Sequence, residues 1–359
     1  MAEPMVHPPE HLTWNEVMSN VKVKDLLHSE NWLGPHGHMD IVFVDREDTV
    51  ESVLRTFIHR KISSAPVFDK EANCFIGTVD MLDLVGYCML KCKQLEVQTW
   101  DKLRQAEEFM SCKVEFLIDI SGRNKWRPVH SDAPMLILLD ILSKSNIHRV
   151  PIVDPLNENK VLALVTQSRV VQWLDANSHK LGFPKRALQS QVKDWKVASR
   201  VLKEVVSISQ EKTVADAFAL LNEKGVSAVA VVDAEGRLMG NLSASDLKLV
   251  VTVPEQFLLR LYMPIKTFIS IRARVPLFSE KELYRLHDLH SNIREDASGL
   301  PFPLAVKKES TLAVVLSLLQ FSKGAHRLWV WDEERRPIGV ISLGDLLAEF
   351  TAIQEDLLE

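Results

Sequence analysis

Four stretches of the chain share one arrangement of apolar and polar positions. In each, apolar residues recur at i, i+3, i+4 and i+7, the spacing of one buried helix face. They are Val50, Val53, Leu54 and Phe57; Met135, Leu138, Leu139 and Leu142; Val214, Ala217, Phe218 and Leu221; and Leu312, Val315, Leu316 and Leu319. A short apolar run ending in aspartate follows each one: SAPVFD at Asp69, RVPIVD at Asp154, AVAVVD at Asp233 and RLWVWD at Asp332. Then come a turn, a second apolar run and a polar residue that opens another helix, in FIGTVDMLDLVGY, VLALVTQSRVVQWL, LMGNLSASDLKLV and PIGVISLGDLLAEF. Each unit therefore predicts helix, strand, turn, strand, helix. A unit of about 45 to 50 residues cannot bury both faces of its own small sheet, so the units are expected to pair.

The implied division is an N-terminal extension at 1–39, repeat 1 at 40–90, a helical linker at 91–122 and repeat 2 at 123–178. A linker at 179–194, repeat 3 at 195–252, an insertion at 253–300, repeat 4 at 301–352 and a tail at 353–359 complete it. Repeats 1 and 2 form one expected pair, and repeats 3 and 4 the other.

Composition narrows the classes. The chain has 359 residues, 46% hydrophobic and 25% charged, which suits a folded protein of about two domains. Net charge is -5, and Lys and Arg form no block, which speaks against nucleic acid as a partner. The opening MAEPMVHPPEHLTWNE lacks a basic region before an apolar core, and no apolar run approaches the roughly 18 residues of a membrane span. A cytoplasmic or nuclear protein without membrane attachment is the expectation. Cys74, Cys88, Cys92 and Cys112 show no CxxC spacing, and His36 and His38 lie in a Gly-rich stretch with no further ligand nearby, so no metal site is expected.

Two features carry candidate chemistry. Six residues after Gly77, Ala163, Gly240 and Gly339 stand Asp83, Arg169, Asp246 and Asp345, and three residues before these stand Asp80, Thr166, Ser243 and Ser342. By itself this is a helix N-terminus: a hydroxyl caps free amides, an acid at the third position suits the dipole, and no ligand is required. The second feature is a His-Arg pair at the start of the first core strand, His148 and Arg149 in NIHRVPIVD and His326 and Arg327 in GAHRLWVWD. Isolated, such side chains reach from a sheet edge to water. Repeated in the same slot, they project toward the centre of the assembled repeats, where an arginine offers a bidentate fork to phosphate and histidine adds a donor.

The four-fold pattern resembles the cystathionine-beta-synthase (CBS) domain family over most of the chain from residue 40 onward. The resemblance implies an α/β fold built of α+β repeats, four CBS repeats arranged as two paired (Bateman) modules, with adenine nucleotides bound in clefts between repeats. It implies that Asp345, Asp246 and Asp83 accept the ribose hydroxyls, with Ser342, Ser243 and Thr166 close by. Arg169 has donors and no acceptor, so its slot is degenerate. Asp80 replaces the usual hydroxyl and weakens the first cleft, which ranks Asp345 and Asp246 ahead of Asp83.

The combination of Arg169 with the two His-Arg pairs is similar to the regulatory gamma subunit of AMP-activated protein kinase and its fungal and plant counterparts. In that family the pairs line a central channel for nucleotide phosphates, which assigns His148, Arg149, His326 and Arg327 to phosphate. Two departures stand out, Ser63 and Ser168, where the family carries basic residues. Losing one charged contact costs about 1.5 to 3 kcal/mol, or on the order of ten- to a hundred-fold in affinity, so weaker binding or fewer occupied clefts is expected.

No Walker or kinase-type Gly-rich loop is present, and no spacing supports a Ser-His-Asp arrangement. The reading is a non-enzymatic regulatory subunit that takes AMP, ADP or ATP as regulatory ligands and no catalytic cofactor. Its implied partners are the catalytic alpha and scaffolding beta subunits of a kinase heterotrimer. The alternatives are a free-standing adenylate sensor acting on another enzyme or transporter, and an assembly scaffold whose clefts stay empty.

Overall fold

The computed structural model describes residues 14–29, 41–94, 108–144, 147–251, 256–274, 303–321 and 325–352. Each apolar periodicity becomes a helix: Val50–His59, Met135–Lys144, Val214–Lys224 and Leu312–Phe321. Thr49 caps the first and accepts from the Ser52 amide, while Thr213 and Asp216 form a reciprocal capping box on the third. Gly225 ends that helix in the left-handed region, φ 59°, where a side chain would be strained.

Each repeat adds a strand that the hydrophobic pattern did not predict, because it is two or three residues long. The four sheets are β1 Val44–Asp45, β2 Ser64–Asp69 and β3 Cys74–Asp80; β4 Val129–His130, β5 Arg149–Asp154 and β6 Asn157–Thr166; β7 Ser207–Ser209, β8 Ala228–Val232 and β9 Leu238–Ser243; and β10 Ala305–Lys307, β11 Arg327–Trp331 and β12 Pro337–Ser342. In every sheet the middle strand lies parallel to the short one and antiparallel to the last, with a bulge near its end.

The strand-end aspartate closes the turn. Asp69 accepts from the amides of Glu71 and Ala72, Asp154 from Leu156, Asp233 from Glu235 and Arg237, and Asp332 from Arg336. These bonds, with basic partners such as Arg46 and Arg237, hold the four carboxyls below the usual range. Its recurrence where each middle strand ends is thus a matter of turn chemistry.

Pairing runs in two directions. Sheet contacts join neighbours in sequence: Phe75 stacks on Trp126 between repeats 1 and 2, and Leu238 donates its amide to the Arg335 carbonyl between repeats 3 and 4, beside a cluster of Ala230, Leu238 and Trp329. Helices join repeats across the two modules. One core unites repeats 1 and 3 through residues such as Leu54, Phe57, Leu84, Phe218 and Leu247, and another unites repeats 2 and 4 through Leu138, Trp173, Leu316 and Phe350. The two Bateman pairs therefore share their main hydrophobic cores, and neither buries its helices without the other.

Four segments outside the repeats act as straps. Reciprocal backbone bonds tie Val21 and Val23 to Met135 and Ala133, Cys112 and Val114 to Val50 and Asp48, Ser190 and Val192 to Leu312 and Ser310, and Met263 and Ile265 to Val214 and Lys212. Each strap thereby satisfies the first free amide of a repeat's opening helix. Each also buries two apolar residues three apart: Val23 and Leu26, Val114 and Leu117, Val192 and Trp195, Ile265 and Phe268. Residues read as extension, linker and insertion are therefore structural parts of repeats 2, 1, 4 and 3. Trp14 is 3% exposed and packs edge-on against Phe183. The stretches 275–300 and 95–107, with Trp32, His36, His38 and Trp100, lie outside the described residues.

Candidate functional site

The starts of the four middle strands converge, and a ring of polar contacts runs through them. Arg149 of repeat 2 donates to the Ser64 carbonyl of repeat 1 at 2.6 Å, and Arg327 of repeat 4 donates to Ser227 Oγ of repeat 3 at 3.0 Å. His326 Nδ1 meets Ser168 Oγ of repeat 2 at 3.2 Å, and Ser63 Oγ meets Ser245 Oγ of repeat 3 at 3.2 Å. His148 Nδ1 lies 3.2 Å from Gln167 Oε1, which fixes the ring against its own helix. The sequence-predicted phosphate residues of repeats 2 and 4 thus share one central recess.

Two further cations stand there that the sequence reading missed. Arg123, from the segment after the repeat 1 strap, donates to the Gly225 carbonyl at 2.6 Å and lies 3.4 Å from His148 Nε2. Lys248, in the second helix of repeat 3, donates to the Ile62 carbonyl and reaches Ser63 Oγ at 3.2 Å. Lys248 therefore places an ammonium beside the position where Ser63 lacks a charge. Each is a single basic residue in a helix or loop, so nothing in its local pattern marked it. Among the described residues no carboxylate lies within ion-pair distance of Arg123, Arg149 or Arg327, and the Nε atoms of Arg123 and Arg149 are buried without a partner.

The electrostatics agree with a crowded cationic recess. Removal from bulk water lowers Arg149 and Arg327 to about 10 and Lys248 to about 8, and Arg149 adds to the effect on Lys248. Water reaches the His326 ring, yet enclosure by protein and the charges of Arg327 and Arg149 push it down to about 4. Burial and then Arg123 lower His148 as well. An anion in the recess would offset these neighbouring charges and raise both rings again.

The four helix-opening slots behave differently from one another. Ser342 and Ser243 cap their helices, and the Oδ2 atoms of Asp345 and Asp246 accept from the corresponding serine amide at 2.8 and 2.7 Å. Each acid also accepts from its serine hydroxyl and faces an arginine from the straps' continuations. Arg200 Nε approaches Asp345 Oδ1 at 2.6 Å, and Arg272 Nη1 lies 3.0 Å from both oxygens of Asp246. Asp83 is fully buried, accepting from the amides of Asp80 and Ser121, and burial followed by the Asp80 charge pushes it up to about 8. Asp80 is itself the cap, accepting from Leu82 and Asp83 and from Asn124. Thr166 caps the repeat 2 helix by accepting from Arg169, whose guanidinium has no acceptor to offer.

The strap continuations also press on the strand glycines. A methyl group added at Gly240 would meet Ile269 at 2.7 Å, one at Gly339 would meet the Val201 carbonyl at 2.6 Å and Leu202 at 3.2 Å, and one at Gly77 would overlap Ile118. Ile118 with Ser121, Ile269 with Arg272, and Leu202 with Arg200 therefore each supply an aliphatic group to the glycine and a donor to the acid of one slot. Among the described residues no cluster of His, Cys, Asp and Glu could hold a metal ion, and no helix is long and apolar enough to cross a membrane.

Comparison with known proteins agrees with the repeat structure. The sequence profile of the CBS domain matches residues 37–89, 118–176, 194–252 and 300–352. Protein sds23 of Neosartorya fischeri is 26% identical over 88% of this chain and 55% of its own length, and SDS24 of Saccharomyces cerevisiae is 25% identical over 81% and 53%. The chain spans about half the length of the curated relatives it matches. A crystal structure from Methanocaldococcus jannaschii, described as a proposed archaeal homologue of g-AMPK, covers 92% of this chain and 100% of that one, with a TM-score of 0.58 at 16% identity. That likeness concerns the fold.

Proposed function

The chain belongs to the CBS domain family, and from that membership we propose that it is a non-enzymatic regulatory subunit whose central recess binds the phosphates of adenine nucleotides. The observation that carries the reading is the convergence of Arg123, Arg149, Lys248 and Arg327, with His148 and His326, at the meeting point of four repeats. Guanidinium groups without carboxylate partners suit a polyanion, since each offers paired donors to phosphate oxygens. The recess is assembled from both modules, so a ligand there can favour one relative placement of the modules over another. Regulation then follows from unequal affinity for two states. We further propose a protein kinase of the AMP-activated type, with its alpha and beta subunits, as the regulated partner in the cytoplasm.

Isothermal titration of the full chain with AMP and ATP tests the nucleotide part. Micromolar binding that falls at least tenfold in Arg327→Ala supports it, and no heat with either nucleotide overturns it. The kinase part is tested separately, by recovering the chain from its native source and identifying what co-purifies. A second reading, a scaffold or sensor acting on another target, is favoured by the closed acid slots, in which the chain's own donors occupy Asp83, Asp246 and Asp345. The fungal relatives, named Sds23 and Sds24, carry no kinase in their names.

A further inference from the structure

We propose that the central recess selects its ligand by the number of linked phosphates and does not read the base, so that ATP, GTP and inorganic tripolyphosphate are equivalent ligands and AMP is a poor one. This rests on the phosphate-centred reading above and narrows it.

The first support is what closes the nucleoside side. A ribose needs acceptors for its two hydroxyls, and each acid that could provide them already engages the chain's own donors. Asp345 holds Arg200 and the Ser342 amide, Asp246 holds Arg272 and the Ser243 amide, and Asp83 is buried under two backbone amides. Exchanging a guanidinium for neutral hydroxyls gives up an ion pair for bonds in which only the carboxylate is charged. The space beside each strand glycine is filled in the same stroke, by Leu202, Ile269 or Ile118. Repeat 2 offers Arg169, which accepts nothing. No slot is thus left with both an unengaged carboxylate and room beside its strand.

The second support is the distribution of charge on the phosphate side. The four cations come from four different parts of the chain and are anchored separately, on Gly225, Ser64, Ser227 and Ile62. Separate anchors spread the four donors over different segments, and a chain of three phosphates has more oxygens to share among them than one phosphate has. On this proposal each added phosphate recruits further donors, while the filled space beside the strand glycines leaves the base little to pack against. Arg123 and Lys248 supply the charge that Ser63 and Ser168 lack, so the recess remains strongly cationic although those two positions are neutral.

The test is isothermal titration of the full chain at pH 7 with AMP, ADP, ATP, GTP and sodium tripolyphosphate. The expected result is that ATP, GTP and tripolyphosphate agree within about threefold, ADP is weaker, and AMP is at least about tenfold weaker than ATP. ATP binding tenfold more tightly than GTP or tripolyphosphate would overturn the inference and leave the nucleotide-binding reading intact. Absence of binding by all five would overturn both. Arg123→Ala should weaken tripolyphosphate about tenfold, with thermal unfolding confirming a native fold. Should that variant not fold, Arg123→Lys should retain part of the affinity, and full affinity in a folded Arg123→Ala chain would count against the recess as the site.

Discussion

Repeats 2 and 4 begin their middle strand with histidine and arginine, whereas repeats 1 and 3 place Ser63 and Ser64, or Ser227 and Ala228, at the same points. The small residues of one pair are the landing sites for the large residues of the other. Arg149 crosses to the Ser64 carbonyl and Arg327 to Ser227 Oγ, so a bulky side chain in either small position would displace a guanidinium from its anchor. Alternation of charge and space lets four near-identical units build one recess with a direction to it. Four His-Arg pairs in the same ring would have repelled one another and left no room.

The largest expected effect breaks the comparison on its charged side. Arg327→Ala should lower the affinity for a polyphosphate by ten- to a hundred-fold, about 1.5 to 3 kcal/mol, while Ser227→Ala changes it little. Equal losses in titrations of both variants would mean that the serine is more than an anchor. Next is Gly339→Ala, which presses a methyl onto the Val201 carbonyl and should cost about 1 to 3 kcal/mol in chemical denaturation. Repeat 2 already carries Ala163 at the matching position, so Ala163→Gly should cost less than Gly339→Ala.

A smaller effect lies in pH. Burial holds Lys248 at about 8 in the folded chain, below the 10.5 of a free lysine, so its contribution to stability is complete above the unfolded value and is lost as pH falls through about 8. The ligand-free chain should therefore gain thermal stability between about pH 8 and 10, and Lys248→Met should lack that gain. Asp83 acts with the opposite sign: its value is raised to about 8, so its contribution is complete below 3.8 and fades as pH rises through 8. Asp83→Asn should remove that slope. The smallest effect concerns the closed slots. Arg272→Ala frees Asp246 and should give ATP an advantage over tripolyphosphate of about threefold, measured by titration.

Much of the fold was legible because it repeats. Four helix periodicities and four Asp-terminated runs give the same local answer, and the helix caps at Ser243, Ser342 and Thr166 follow from residue type alone. The His-Arg pairs were legible as candidates because two copies share a slot. The straps were harder to see, although Val23, Val114, Val192 and Ile265 each precede a buried apolar residue by three. A signal of two residues in a short segment does not rise above chance until its partner helix is known. Arg123 and Lys248 were illegible for the same reason, since only long-range pairing brings them to the recess. The acid slots were read correctly as capped helix ends, but occupation by Arg200 and Arg272 depends on tertiary packing of segments that the pattern treated as linkers.

The crossing of the straps sets an order of assembly as the chain leaves the ribosome. The strap for repeat 2 lies ahead of both repeats of its module, at Val23, so it is already synthesised when Met135 emerges. Repeat 1 has no such help: its opening helix waits for Val114, well after its own last strand is made. The same inversion recurs downstream, where Val192 precedes repeat 4 and Ile265 follows the strands of repeat 3. Domains tend to form as units from the N-terminal end during synthesis, yet here repeat 1 emerges before the strap that completes it. Its exposed helix amides make that interval the moment at which a nascent chain most needs protection.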